Sequence, residues 1–389
     1  MDITTRDMVA EAKKLQPLLM ENSDRHEELN ALSPEVVEAI NKSGLVGMWV
    51  PKALGGAELS PRESIEAVAA LAYADPATSW VTMAAALSTG TGGAYLHDDA
   101  LETVFGGVGD RFPVIAGQGT RAGTVHEVEG GYSLSGDWSF GSGIKHADFI
   151  HTAAADPDTG KAYIFVLPVK EEYLDDSSWD VMGLIGTGSI DYKLRDVFVP
   201  KAFGYDMFTE DALRGGGIFA IGTIQFAILG HTGFAIGVGR RLLDELAKLA
   251  QAGKGRLGQI GSDGAFLEEY ARMEARLRSA QAWCMEVWAD IEASLDAGAT
   301  EVTTRQKTLA RLSLNNMTFA AYDVMNFVIK TAATQTIRPG VLNHFIRDMM
   351  VGSTHVTSSQ PVLRDTGREL AGLAPNEHWL FLGLVPDEA

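Results

Sequence analysis

His355 stands in the run Gly352-Ser353-Thr354-His355-Val356-Thr357-Ser358-Ser359, within a stretch from Asp348 to Asp365 that has no acidic side chain between its ends. An imidazole among hydroxyls suits donating or relaying a proton near pH 7, because its ordinary pKa lies close to that pH. Removing a proton alpha to a thioester needs a carboxylate instead. Ser142 is the second candidate, held between Gly141 and Gly143 where a tight turn would present its hydroxyl. Each has a plain alternative. A lone histidine in a helix is commonly a satisfied buried polar group, here bonded to Thr354 or Ser358, and a serine between glycines can simply shape a turn.

Other chemistries find little support. No GxGxxG stands between a strand and a helix, so a Rossmann nicotinamide site is not expected. The nearest glycine cluster, Gly183-Leu184-Ile185-Gly186-Thr187-Gly188-Ser189, runs into the strand-like Asp191-Tyr192-Lys193-Leu194. There is no Walker lysine pattern and no HExxH, and the 9 histidines have no ligand spacing, His146 and His151 being the nearest pair. No metal site is expected. The single cysteine, Cys284, excludes an internal disulfide and reads as a buried thiol beside Trp283, Met285 and Val287.

The 389 residues carry 32 basic against 51 acidic side chains, a formal charge of −19, which makes nucleic acid and anionic membrane poor partners. A small-molecule role fits better. Met1-Asp2-Ile3-Thr4-Thr5-Arg6 lacks a basic-then-apolar leader pattern, and a cytoplasmic protein is expected. One window, Arg214 to Arg240, has no charge and is long enough to span a bilayer. Its glycines, with Thr223, Gln225, His231 and Thr232, favour a buried core helix.

Three blocks must position the candidates. The first hundred residues read as helices, with starts at Ser33-Pro34-Glu35 and Ser60-Pro61-Arg62-Glu63, and a break at Asp75-Pro76 before a helix from Ala77 to about Thr91. From Val114 to Pro200 the apolar period becomes two. Hairpin signals stand at Gly130-Gly131 and at Asp156-Pro157-Asp158-Thr159-Gly160. Long helical segments follow, from Ile218 to Ala250, Gly264 to Leu295, Thr303 to Thr331 and Val341 to about Ser359. The expected fold is mainly α with a central antiparallel β domain. It comprises an N-terminal helical domain (1–110), a central β domain (111–210) and a C-terminal helical bundle (211–389).

Several motifs carry a resemblance to one family. Val50-Pro51-Lys52-Ala53-Leu54-Gly55-Gly56-Ala57-Glu58-Leu59-Ser60 and Ala74-Asp75-Pro76-Ala77-Thr78-Ser79-Trp80 stand in the N-terminal block. Gly136-Asp137-Trp138-Ser139-Phe140-Gly141-Ser142-Gly143, with Ala147-Asp148-Phe149, and Met182 to Ser189 stand in the central one. Phe345-Ile346-Arg347-Asp348 opens the last helical segment. Together they resemble the acyl-CoA dehydrogenase superfamily over nearly the whole chain. The chain departs from that superfamily's dehydrogenases where their base would stand, since Val356 occupies the place of a glutamate and no acid lies between Asp211 and Asp244. Ala116-Gly117-Gln118-Gly119-Thr120 replaces an acidic flavin-side motif, and Ala332-Ala333-Thr334-Gln335-Thr336 replaces a glycine-rich dinucleotide loop. What remains is similar to the two-component flavin monooxygenases of the superfamily, the hydroxyphenylacetate hydroxylase and dibenzothiophene monooxygenase branch.

That resemblance implies a three-domain architecture with a β-barrel-like middle and a four-helix bundle, assembled as a homotetramer. It implies an oxygenase component that uses reduced flavin (FMN or FAD) and O2, through a C4a-hydroperoxide, to oxygenate an aromatic or polycyclic substrate. A separate NAD(P)H:flavin reductase would deliver the flavin. His355 would protonate or steady the peroxide or take a phenolic proton, and Ser142 would meet flavin N5. Trp138 and Phe140 would wall the ring, with Thr187 and Ser189 on its edge. Trp80, His97, Phe226 and His231 would line an apolar substrate pocket, with Met83 and Tyr95, while Lys254 and Arg256 stand where a phosphate could be met. Core packing is the plain alternative for the apolar residues. Two other readings stay open: an acyl-CoA dehydrogenase-like FAD oxidoreductase with another base, and a flavin-binding homologue without catalysis.

Overall fold

The computed structural model describes residues 1–252 and 260–387, so Lys254 and Arg256 lie outside the described residues. Five helices come first: α1 (Met8–Leu29), α2 (Pro34–Ser43), α3 (Pro61–Ala74), α4 (Pro76–Tyr95) and α5 (Asp98–Gly106). Their starts are chemically marked. Ser33 caps α2, Ser60 and Glu63 close a reciprocal capping box on α3, and the Asp75 carboxylate caps α4 by accepting the Thr78 N–H. Proline follows each of these caps, where its missing N–H costs no helical bond.

The middle of the chain forms seven strands: β1 (Ile115–Val128), β2 (Gly131–Trp138), β3 (Phe149–Ala155), β4 (Ala162–Pro168), β5 (Leu174–Asp175), β6 (Asp191–Pro200) and β7 (Gly204–Asp206). They make one sheet in the order β5-β6-β2-β1-β3-β4-β7. The sheet is mixed where a purely antiparallel one was expected. β1 and β3 run parallel, with Gly117 opposite His151, and the other pairings are antiparallel. Its core is Trp138, Leu134, Phe165 and Tyr192, a cluster separate from the helical core.

The chain then returns to helices: α6 (Gly222–Ala252), α7 (Gly264–Asp296), α8 (Thr304–Ala332), α9 (Val341–Gly352) and α10 (Gln360–Leu370), followed by a hairpin of β8 (Glu377–Leu380) and β9 (Gly383–Pro386). α6 is long and apolar enough to cross a membrane, yet 78% of its most apolar window is buried inside the protein. Cys284 on α7 is buried, donates to the Ser313 carbonyl on α8 and is pushed up to about 12 by burial.

α6 packs on α3 through glycine. A Cβ at Gly237 would stand 2.4 Å from the Ala69 carbonyl oxygen and 2.7 Å from Ala72 Cβ, and one at Gly233 would stand 2.8 Å from the Ile65 oxygen. Those neighbours are backbone or short side chains and cannot yield. Gly237→Ala should therefore force the helices apart at a cost of about 1–3 kcal/mol, read by denaturant unfolding. An unchanged midpoint would show that the two helices have slack.

The last helical segment is shorter than the periodicity suggests. α9 stops at Gly352, and His355 has extended backbone (φ −60°, ψ 142°) as the N-cap of a short 3-10 turn, Val356–Ser358. His355 is therefore a loop residue between two helices, not a residue inside the last one. Ser353 and Thr354 turn their hydroxyls back onto the Met350 and Val351 carbonyls, satisfying groups that a continuing helix would have used.

Candidate active site

α4 sends Trp80, Met83, Ala84, Leu87 and Ser88 to one side, the spacing of a single helix face, and α6 faces it with Thr223, Ala227, Gly230 and His231. Between them and the sheet lies a cavity of about 570 Å³. Gly230 and Gly352 make room for it. A Cβ on Gly230 would stand 3.2 Å from the Met83 sulfur, and one on Gly352 would meet Phe234 at 2.6 Å and Trp80 at 3.5 Å. A second cleft of about 580 Å³ opens beside α2 and Arg111 and shares no residue with this one.

Trp80 is the keystone. Its ring receives the edges of three others, His231 (4.8 Å between centroids), Phe234 (5.0 Å) and His355 (5.5 Å). His231 and His355 stack on each other at 3.9 Å with 20° between planes. His231 Nδ1 lies 2.6 Å from the Ala227 carbonyl oxygen and must donate to it, which leaves Nε2 as a lone pair. His355 Nδ1 lies 2.9 Å from the Thr357 hydroxyl, which can donate or accept, and 3.4 Å from the Thr357 N–H, which can only donate. The second contact, the cap of the turn, makes Nδ1 the acceptor, so we assign the proton to Nε2. Burial drives His231 down to about 4, and burial with His231 alongside holds His355 well below the ordinary histidine value. Both rings are neutral at pH 7.

On the other side, Trp80 Nε1–H donates to Ser142 Oγ at 3.1 Å. Ser142 is 2.7 Å from Ser189 Oγ, Ser189 is 2.6 Å from Thr187 Oγ1, and Thr187 is 2.7 Å from the Leu184 carbonyl oxygen. A carbonyl can only accept, so Thr187 spends its proton there and takes one from Ser189, which takes one from Ser142. The direction of the whole chain is fixed by its last member. Every hydroxyl proton is used, and Ser142 Oγ keeps one unspent lone pair. Behind Leu184, its N–H donates to the Asp348 carboxylate at 2.5 Å.

The other expected residues divide. Phe140 lines the cavity mouth, 65% exposed, after the chain leaves β2 and takes a left-handed turn (φ 68°), and its ring meets Trp179 edge-on at 6.0 Å. Phe226 also lines the cavity. Trp138 does not: it is 1% exposed in the sheet core, stacked on Tyr192 and bonded to the Ala153 carbonyl. His97 does not either, being exposed at the start of α5. Tyr95 is buried and bonds the Phe219 carbonyl.

Several contributors went unread in the sequence, among them Ser88 of α4. His151 enters from β3, driven to about 4 by burial. Trp179 enters from the loop before β6, with its Nε1–H on the Ile185 carbonyl. Phe381 comes from the turn of the C-terminal hairpin. That hairpin is pinned by Arg311, which lies over Trp379 at 4.3 Å and donates to the Phe381 carbonyl at 3.0 Å. Gly383, which opens β9 directly after the turn, was a signal for this hairpin.

Among the lining residues no Asp, Glu, Lys or Arg appears. Behind the cavity, Glu27, His344 and Asp348 bring ligand-type atoms within 4.8 Å of one another. This cluster is an ion-pair network, because burial opposes the His344 charge but Asp348, Asp75 and Glu27 outweigh it and raise His344 to about 9. Arg347 neutralises Glu27 through two short contacts of 2.7 and 2.8 Å.

A helical block, a sheet and a long-helix bundle closing on a shared cavity define the acyl-CoA dehydrogenase-like fold. The sequence profile of the acyl-CoA dehydrogenase N-terminal domain matches residues 4–97 and that of the C-terminal domain matches residues 229–360. The chain belongs to the acyl-CoA dehydrogenase superfamily. It is 27% identical over 366 residues to indole-3-acetate monooxygenase of Pseudomonas putida, covering 88% of each chain. It is 24% identical over 395 residues to the oxygenase component of p-hydroxyphenylacetate 3-hydroxylase of Acinetobacter baumannii, covering 96% of this chain and 91% of that one. The solved structure of XiaF from Streptomyces sp. in complex with FADH2 and glycerol superposes with a TM-score of 0.84 at 21% identity, over 95% and 96% of the two chains.

Proposed function

We propose that this protein is the oxygenase component of a two-component monooxygenase that uses reduced flavin and O2 to oxygenate an aromatic molecule. The observation that carries the proposal is the lining of the His355 cavity. It holds a neutral imidazole with an unspent N–H and a one-way hydroxyl chain ending in a lone pair, and among the described residues no carboxylate that could serve as a base. The relatives named as monooxygenases and oxygenase components support the same reading.

The residues fit a reduced flavin. A reduced isoalloxazine carries N–H at N5, a donor, whereas the oxidised ring has only a lone pair there. The unspent lone pair of Ser142 matches the first and opposes the second. When bound, reduced flavin supplies two electrons to O2, so that one oxygen atom enters the substrate and the other leaves as water. Ser142 holds its acceptor in place because Trp80 and Ser189 bond it from either side. His355 Nε2–H holds a proton at the cavity face, and the apolar walls from Met83, Phe226 and Trp179 exclude water. A separate NAD(P)H:flavin reductase, a homotetrameric assembly and a cytoplasmic location belong to the proposal, the reductase supported by the naming of the hydroxyphenylacetate relative as an oxygenase component.

The direct test supplies reduced FMN or FAD and labelled O2 with phenols, indoles and thiophenes and looks for the label in product. Bleaching of a tightly bound yellow flavin by an acyl-CoA, with no label incorporated, would refute the proposal. Ser142→Ala should weaken reduced flavin by about 5- to 10-fold, the worth of roughly one hydrogen bond. Oxidised flavin should bind about as before, as anaerobic titration will show. Equal losses for both redox states would leave Ser142 as a turn residue.

A further inference from the structure

We propose that the cavity selects uncharged aromatic molecules, rejects carboxylates, and reads a distal hydroxyl or carbonyl of its substrate with Ser88. The proposal refines the monooxygenase reading, on which it rests for which ligand is turned over but not for which ligand binds. It sets this chain apart from the indole-3-acetate and p-hydroxyphenylacetate enzymes it resembles, whose names specify carboxylate substrates.

The argument is an account of donors. A carboxylate entering a closed site needs a cation or several free N–H and O–H groups, or it stays in water. No lysine or arginine lines the cavity among the described residues, and the three histidines there, His151, His231 and His355, are all held neutral by burial. Most of the polar lining is already committed. Thr120 donates to the Gln118 side-chain carbonyl, Gln118 to the Arg121 carbonyl, Trp179 to Ile185 and Thr354 to Val351. The Ser142, Ser189 and Thr187 hydroxyls have spent their protons on the chain that ends at Leu184. The Thr223 oxygen is itself fully buried, without a partner. Apart from His355 Nε2–H, the Ser88 hydroxyl and the second amide N–H of Gln118, an anion would therefore face lone pairs among the described residues.

Besides the second amide N–H of Gln118, two donors of the lining have no partner within the described residues: His355 Nε2–H and the Ser88 hydroxyl. Ser88 lies on the same face of α4 as Trp80, eight residues on, and so about 12 Å along the helix axis. A serine within a helix commonly bonds the carbonyl a turn before it. Here Thr91 takes the Leu87 carbonyl and Ser88 donates to nothing. Between Trp80 and Ser88 the wall is Met83, Ala84 and Leu87, with Ile224 and Ala227 opposite. This is a slot for a flat apolar body of about two rings, with one polar group at each end.

Binding of matched pairs to the anaerobic protein loaded with reduced flavin, followed by calorimetry, tests the charge rule: indole against indole-3-acetate, and p-cresol against p-hydroxyphenylacetate. The uncharged member should bind roughly 100-fold more tightly in each pair. Equal or tighter binding of the acids overturns the proposal. For Ser88, wild-type protein should bind 2,6-dihydroxynaphthalene about fivefold more tightly than 2-naphthol, and Ser88→Ala should erase that ratio. A ratio that survives the substitution removes Ser88 from recognition. Because these readouts are affinities, they are independent of oxygen transfer. Correct discrimination without labelled product would sink the monooxygenase reading alone, and labelled product with the acids binding as tightly as their uncharged partners would sink the charge rule alone.

Discussion

Replacing His355 with serine should leave the protein folded and the flavin bound, while lowering oxygenated product by about 100-fold or more, the usual contribution of a positioned proton donor. Reduced flavin would still be consumed, and hydrogen peroxide should appear in place of product. Serine is the informative replacement because His355 has two jobs. Its Nδ1 caps the turn Val356–Ser358, and its Nε2–H faces the cavity. Serine is among the best N-caps and keeps the first job, but it is too short to perform the second. If His355 is only a cap, His355→Ser will be nearly silent and His355→Ala will cost about 1 kcal/mol of stability with coupling intact. A fall in product with an unchanged melting temperature assigns the loss to the cavity-facing nitrogen.

The pH profile adds an independent check. Burial and His231 hold His355 well below the ordinary value of 6.5, so its neutral form, with the proton on Nε2, predominates from pH 6.5 upward. Coupling of flavin oxidation to product should therefore be flat from there into the alkaline range. A step centred near 6.5 would mean an exposed, titrating imidazole and would contradict the stacked, buried geometry.

What the sequence made legible was local. The helix starts at Ser33 and Ser60 and the break at Asp75-Pro76 are read from their own neighbours, and the structure puts an N-cap at each, including Asp75, which the sequence marks only as a break. Ser142 stands in one motif of the resemblance and Thr187 and Ser189 in another, and the structure joins the two through their hydroxyls. The failures are those of faces and long-range pairing. Trp138 and Phe140 stand two residues apart and would share one face of a continuing strand, but nothing local says that this face is the sheet core or that the strand ends at Trp138 and the chain turns at Phe140, parting the two rings. His97 and His231 look alike in sequence, and only the packing of α6 on α4 separates a surface residue from one stacked under His355. The parallel pairing of β1 with β3 joins segments separated by a whole hairpin. The arrival of Phe381 depends on Arg311 and Trp379, which are far apart in the chain.

His344→Gln should cost about 3–5 kcal/mol at pH 7, the price of removing one partner from a buried charge network. His344 lies 2.9 Å from Asp348 and 3.7 Å from Asp75, both carboxylates fully buried, with Glu27 at 3.5 Å and the Ser23 hydroxyl on its other nitrogen. Asp75 is bonded in turn to His26, and Glu27 to Arg347. The folded protein raises His344 from 6.5 to about 9, so it holds its proton more tightly folded than unfolded. Stability from this charge is therefore complete below pH 6.5 and is lost as pH climbs through about 9. Glutamine copies the neutral form, so the gap between wild type and variant, measured by urea unfolding, should close by about pH 10. A constant gap would mean that packing, not charge, is what His344 supplies. The same variant should disturb the cavity, since Asp348 holds the Leu184 N–H and the Leu184 carbonyl anchors Thr187 at the end of the hydroxyl chain. With Asp348 deprived of its cation, that anchor loosens, the chain loses its fixed direction, and the preference for reduced over oxidised flavin should shrink together with stability.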